Sequence, residues 1–356
     1  MGTAADFPVK WMHSGMPRAP VLTKDRANVI TVLDALLVTG WGAMTPQRIH
    51  VEGGVATVQC SAGDTFEPHH VIEVSGAEQP ELNGQHRVLT SSATSFTFAA
   101  DAPDGYATGT VSIKAAAAGW EKPFAGEGKA VYRSVSPQAA GTLYRVENGT
   151  ARGYCSMSDV DAGEYPFPGT GAPSLHMHNN ENGNYSYAVF ADDKAVIFCA
   201  RTFSPASTGK FVESPAFFGA LTPVTGGGGA LLHEAVCGVV YGIGNQGALA
   251  QSSGAFFAVG ADGNLTDANT TATFNHFSAS TTKVAGQGAM VFSRAAASDG
   301  EQLRGFVPGL FACLSTDAMS HANRLDTVRA QLDGTERIFI LNYRNRTDNQ
   351  ITVNGM

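Results

Sequence analysis

Charge is scarce in this chain. Charged residues make up 15%, against about 25% in an average soluble protein. The basic side is the poorer one: 23 Lys and Arg stand against 31 Asp and Glu, a net charge of −8. A general affinity for nucleic acid needs clustered positive charge, so that class of partner is excluded, as is a polybasic membrane patch. The five cysteines, at 60, 155, 199, 237 and 313, contain no CxxC pair. That spacing excludes a disulfide framework and a cysteine zinc site, and the five are read as small buried apolar residues in a reducing cytoplasm. No apolar run reaches 18 residues and the first 15 residues hold no apolar signal core, so neither membrane insertion nor secretion is expected. A GxSxG elbow is missing, and His233-Glu234-Ala235-Val236-Cys237 lacks the second His of a zinc-protease helix.

What is present is glycine, 41 residues of 356, and a hydrophobic content of 43%. The chain can therefore build a substantial core and is not disordered. A soluble surface normally carries more charge than this one has, and a charge-poor, glycine-rich chain suits a homo-oligomer that hides surface in its own contacts.

The organisation read from hydrophobic periodicity is mainly β. One helix stands near the N-terminus, in VLTKDRANVITVLDALLVTGWG: Ile30, Leu33 and Leu37 fall on one face, Val29 and Leu36 widen it, Thr23 offers a cap and Gly40 a stop. No second helix of that quality can cover it, so a sheet or a neighbouring subunit must. From Ile49 to Lys114 the period changes to two. RIHVEG, VATVQC, VIEVSG, HRVLTS, SFTFAA and GTVSIK alternate between turn signals, the pattern of a small β-sandwich or barrel. Three parts follow: an arm and helix over 1–45, an inserted β-module over 46–116, and a larger antiparallel β-rich domain over 117–356 that continues from the arm. In that domain TLYRVENGTARGYCSM and YSYAVFADDKAVIFCARTF are hairpins, and 163–184, 204–229 and 262–275 are long loops.

Three constellations could carry chemistry. Gly242-x-Gly244-x-x-Gly247, with Asp262 beyond, spells a dinucleotide fingerprint but opens no helix. It is read as a turn, and no cofactor is expected. His176-x-His178 is half a metal site, or else a pair of loop histidines; a third ligand such as Glu181 or His233-Glu234 would have to come from elsewhere. Asp159-Val-Asp161 begins like a calcium loop but lacks the closing Glu, with Thr170 in its place. Asx-turn chemistry accounts for the same residues.

The opening KWMHSGMPRAPVLTKDRANVITVLDALLVTGWG, with His13, Ser14, Met16, Pro17, Ala19 and Pro20 leading into the helix, resembles the start of a family of tailed-bacteriophage virion proteins. AGWEKPFAGEGKAVYRS, TLYRVENGTARGYCSMSDVDAGEYPFP and EQLRGFVPGLFAC are similar to further stretches of that family. The middle β-module resembles small modules inserted in phage tail and baseplate proteins. The ending, Ile351-Thr-Val-Asn-Gly-Met, departs from the family pattern. The resemblance implies a structural role and names no reaction.

The expectation is a non-enzymatic virion component, in the tail tip, baseplate or neck, made in the host cytoplasm and assembled with copies of itself and other virion proteins. Trp11, Met16, Ile30, Leu33 and Leu37 are the expected assembly contacts. Host recognition or carbohydrate binding, through the module and the Asn/Tyr-rich stretch 179–187, is the alternative, as is capsid decoration. An envelope-degrading enzyme has only the HxH pair for support.

Overall fold

In a computed structural model the described residues are 7–154, 157, 175, 185–203 and 211–223, together with the strands named below between 233 and 354. The chain is mainly β, in antiparallel sheets around one helical segment.

The eight-stranded sheet is made wholly of residues 41–115. Its order is Trp41–Met44, Gly109–Ala115, Val71–Ala77, Gly84–Ser91, Ser95–Ala99, Val55–Gln59, Arg48–Glu52 and Gly105–Tyr106. All six strands expected from the period-two pattern are present. Ile49, Val51, Ala56, Val58, Phe96 and Phe98 point inward and are buried, with polar neighbours between them. Trp41–Met44, expected within the arm and helix part, is a strand of this sheet, with Trp41 opposite Ala115. The module's two stems are thereby hydrogen-bonded to each other at its entrance. In the stretch after it Ala115, Ala116, Ala118 and Trp120 are buried.

The seven-stranded sheet runs in the order Lys10–His13, Tyr187–Ala191, Ala195–Phe203, Phe211–Ala220, His233–Gly238, Gly254–Val259 and Leu265–Asn269. Its first strand comes from the N-terminal arm, which was not foreseen. Phe211–Ala220 lies within the expected loop 204–229, and Leu265–Asn269 and Thr273–Phe277 cover much of the expected loop 262–275. Both loops are corrected accordingly. A four-stranded sheet joins Glu121–Gly126, Lys129–Arg133, Leu143–Glu147 and Thr150–Tyr154. The last two form the hairpin expected from Asn148-Gly149, whose φ values of 47° and 71° suit a tight turn of the I′ kind. A six-stranded sheet, Thr273–Phe277, Phe292–Ser298, Leu303–Cys313, Gln350–Asn354, Thr335–Leu341 and Thr327–Leu332, meets the seven-stranded one through paired backbone bonds between Thr222 and Phe306.

The helical segment spans a 3-10 turn at Arg26–Asn28, an α-helix at Val29–Asp34 and a π-helical turn at Ala35–Thr39. Asp25, rather than Thr23, caps its start by accepting from the Ala27 N–H. Gly40 ends it as expected, at φ 72°, and a Cβ there would stand 2.2 Å from the Ala115 carbonyl oxygen. Only glycine fits that approach. The wide last turn leaves the Leu36 and Leu37 carbonyls free to accept from Ala118, Gly119 and Trp120. The helix is thus tied to the chain that leaves the module.

Its apolar face is covered from within. Val29, Val32, Leu33, Leu36 and Leu37 are buried in a core shared by the arm, the module, the four-stranded sheet and the seven-stranded sheet. On the polar side Asp34 accepts from Lys122 at 2.7 Å and from the Tyr132 hydroxyl at 2.8 Å. Burial, then the neighbouring Asp34 charge, pushes the Tyr132 phenol far above its usual range. Of the expected assembly contacts, Trp11, Met16, Leu33 and Leu37 are buried by this chain alone, and Ile30 is half-buried. For the helix face the chain's own sheets, one of the two covers open from the sequence, supply the packing.

Candidate functional site

Among the described residues, a group of polar and aromatic side chains lies where the arm crosses the module. The arm strand Lys10–His13 gives its backbone to the seven-stranded sheet, pairing Trp11 with Phe190 and His13 with Ala188. Ser14 and Tyr187 extend the seam, the Ser14 N–H donating to the Tyr187 carbonyl and the Ser14 hydroxyl accepting from the Tyr187 N–H. The Tyr187 hydroxyl reaches on to the Pro20 carbonyl at 2.6 Å. With its backbone so committed, the arm holds the module by side chains.

These contacts run along the arm in order. The Arg87 guanidinium lies over the Phe7 ring at 5.4 Å. Trp11 meets His70 edge to face, with ring centroids 4.7 Å apart. His13 Nε2 stands 3.2 Å from a Glu67 carboxylate oxygen. Arg18 covers the Phe66 ring at 5.3 Å and pairs with Asp64 at 3.4 Å. As the arm advances, its partners retreat from 87 to 70, 67, 66 and 64, so the two segments pass antiparallel. Among the described residues no backbone–backbone hydrogen bond joins the arm to the module.

His70 is the unusual member. Trp41, the first residue of the module's sheet, approaches its ring from another side, with centroids 5.8 Å apart. The side chain is buried, and neither Nδ1 nor Nε2 has a hydrogen-bond partner; the Trp11 indole N–H is equally unpartnered. Burial pushes the imidazole pKa down to about 3. Burial also lowers His69, helped by Arg329 and Arg87, and it holds Lys10 down at about 8, with Arg87 adding to the effect. Glu67 goes the other way from what burial alone would do: the His13 hydrogen bond and charge outweigh desolvation and bring its carboxyl below the usual range.

The expected chemistry of the sequence is placed elsewhere or not at all. His176, His178, Asp159–Asp161 and the 242–247 glycines lie outside the described residues. Glu234, offered as a distant ligand, is occupied: it accepts from the Ala140 N–H at 2.6 Å, the Thr142 N–H at 3.2 Å and the Tyr144 hydroxyl at 2.6 Å. Among the described residues no group of three or more His, Cys, Asp or Glu could hold a metal. Cys60 and Cys199 are buried, as expected of apolar cysteines. No helix among the described residues is long and apolar enough to cross a membrane.

The sequence singled out His13, Trp11 and Met16 but missed Glu67, His70, Trp41 and Arg87. Partners from about 30 to 80 positions apart leave no periodic trace. The adjacent His69-His70 before an apolar strand was the only local sign.

A second surface is built on the module's outer face. Pairing aligns Tyr106 with His50, His50 with Thr57, Thr57 with Thr97 and Thr97 with Thr90. Directly paired residues share a face, so these five form one row across the sheet. Tyr106 is 60% exposed, and its ring lies 4.7 Å from that of His50. The Thr90 and Thr97 hydroxyls are 2.7 Å apart.

No protein-family model and no curated protein sequence matches the chain. Among solved structures the endosialidase of phage phi92 is similar over 88% of this chain and 51% of its own, at a TM-score of 0.19 and 10% identity. The chain spans about half the length of that protein, and a likeness of this degree carries no inference about activity.

Proposed function

We propose that this chain is a non-enzymatic structural component of a bacteriophage particle, in the tip, baseplate or neck of the tail. There it holds neighbouring virion proteins in a symmetric assembly with copies of itself. The observation that carries the reading is how the phage-like N-terminal phrase is used. His13 holds Glu67, Ser14 and Pro20 hold Tyr187, and Met16 is buried with its sulfur accepting from the His13 N–H. The most family-like residues are fasteners between two β units, which is what a particle component under mechanical load requires. Immunogold labelling of purified phage particles with antibodies to this chain tests it. Label is expected at the tail, and particles without the chain would refute the proposal.

The outer row of the module supports a second reading, recognition of a host-surface glycan. An exposed aromatic ring beside a ladder of hydroxyls suits a sugar ring, whose apolar face stacks on the aromatic while its hydroxyls find polar partners. On a glycan array the full chain is then expected to bind, and Tyr106→Ala to weaken that binding by tenfold or more. Equal binding by the variant removes Tyr106 from any such site.

A further inference from the structure

We propose that the arm–module joint is an acid-released latch: protonation of His70 frees the module's 60–70 loop from the arm while the seven-stranded sheet keeps the arm strand.

The geometry carries the argument. His70 sits between an indole from the arm, Trp11, and one from the module, Trp41. A neutral imidazole has one N–H to donate and one lone pair to accept with, and here both are buried without partners. The closed joint therefore keeps an unsatisfied polar ring out of water, and a proton on that ring would add an unpaired buried charge. Opening the loop returns both nitrogens to solvent. The arm itself has no need to move, since its backbone belongs to the seven-stranded sheet.

The charged and titratable neighbours fix the pH window. On the loop, Glu67 favours a proton on His70 and His69 opposes it; from the arm, His13 opposes it. Farther out, Arg87 on the strand Gly84–Ser91 and Arg329 on the strand Thr327–Leu332 act on His69, and Arg87 acts on Lys10 of the arm. Glu67 is held by His13 below the ordinary carboxylate range, so it stays ionised between neutrality and pH 5. Over that range the solvated His70 of the open joint gains a proton, and Lys10, held at about 8, completes its own protonation.

The sign follows from linkage. His70 is depressed in the closed state to about 3, against about 6.5 for a solvated histidine. Its contribution to closure is complete above pH 6.5 and is lost as pH falls through the interval toward 3. Between pH 7.5 and pH 5 the ratio of open to closed joint is expected to rise about thirtyfold from this one residue.

Two measurements on the full chain test the latch. The first is backbone hydrogen exchange at pH 7.5 and pH 5, corrected for intrinsic rates. Peptides covering 60–72 should lose protection at pH 5 while those covering 187–203 keep theirs. His70→Phe, which keeps an aromatic ring between the indoles and cannot titrate, should abolish the loss. A loss that persists undiminished in His70→Phe assigns the response to another group and overturns the proposal, as does uniform loss across both regions. The second needs no variant: imidazole C2–H exchange of the native chain reports the titration of each histidine. His70 should exchange slowly with a strongly depressed midpoint, and a midpoint near 6.5 would overturn the latch.

Discussion

Leu33→Asp is expected to abolish folding of this chain. The side chain is fully buried, 0% exposed, in the helix Val29–Asp34, and the core around it is assembled from the arm, the module and two sheets of the same molecule. A carboxylate there has no cation assigned to it and would lose its hydration, costing several kcal/mol. Total stabilities are only about 5–15 kcal/mol. The sequence alone also allowed a folded mutant reduced to a smaller oligomer, because it left a sheet and a neighbouring subunit both open as the cover for the helix. With the cover found inside the chain, circular dichroism should show loss of native signal and sizing should show aggregate. Leu33→Ala, which removes volume and adds no charge, should instead cost about 2–5 kcal/mol and leave the fold intact. A well-folded Leu33→Asp protein of altered oligomeric state would return this face to the interface between copies.

Glu234→Ala should be nearly as severe, by a different mechanism. The carboxylate sits in the strand His233–Gly238, fully buried, and its oxygens satisfy two backbone N–H groups of the 140–142 loop and the Tyr144 hydroxyl. That one side chain fastens the four-stranded sheet to the seven-stranded sheet. Truncation leaves three donors aimed at an empty space, at about 1–3 kcal/mol for each group left unsatisfied. We expect a loss of at least 3 kcal/mol in urea denaturation. Tyr144→Phe, which removes one donor and leaves the carboxylate two others, should cost about 1–1.5 kcal/mol. A Glu234→Ala protein within 1 kcal/mol of the native chain would show that water takes over all three bonds.

The strands of the module were legible because one face of each is buried and the other is wet. Ile49 and Val51, or Phe96 and Phe98, therefore alternate with polar residues. Phe211–Ala220 was not legible. Its Ser214-Pro215 reads as a breaker, yet in the sheet Pro215 lies opposite Cys199 within a strand of 10 residues. Trp41–Met44 failed for a related reason, since Gly42 interrupts its alternation and it pairs with a strand some 70 positions on. The helix was legible in its existence and in its stop at Gly40. Its cap moved to Asp25, because the helix opens with a 3-10 turn at Arg26, later than a cap at Thr23 requires.

By itself the sequence determined the β-rich class, the six central strands of the eight-stranded sheet, the two hairpin turns and the apolar face of the helix. All of these are local: period, turn chemistry and capping act over a few residues and leave their mark there. The tertiary structure alone decided what covers that face, and that the arm completes a sheet beginning at residue 187. It alone set His70 between Trp11 and Trp41 and gave Glu234 to the four-stranded sheet. Those pairings join positions from about 30 to more than 170 residues apart. Burial and loss of water make them energetically decisive, and burial belongs to the folded chain as a whole.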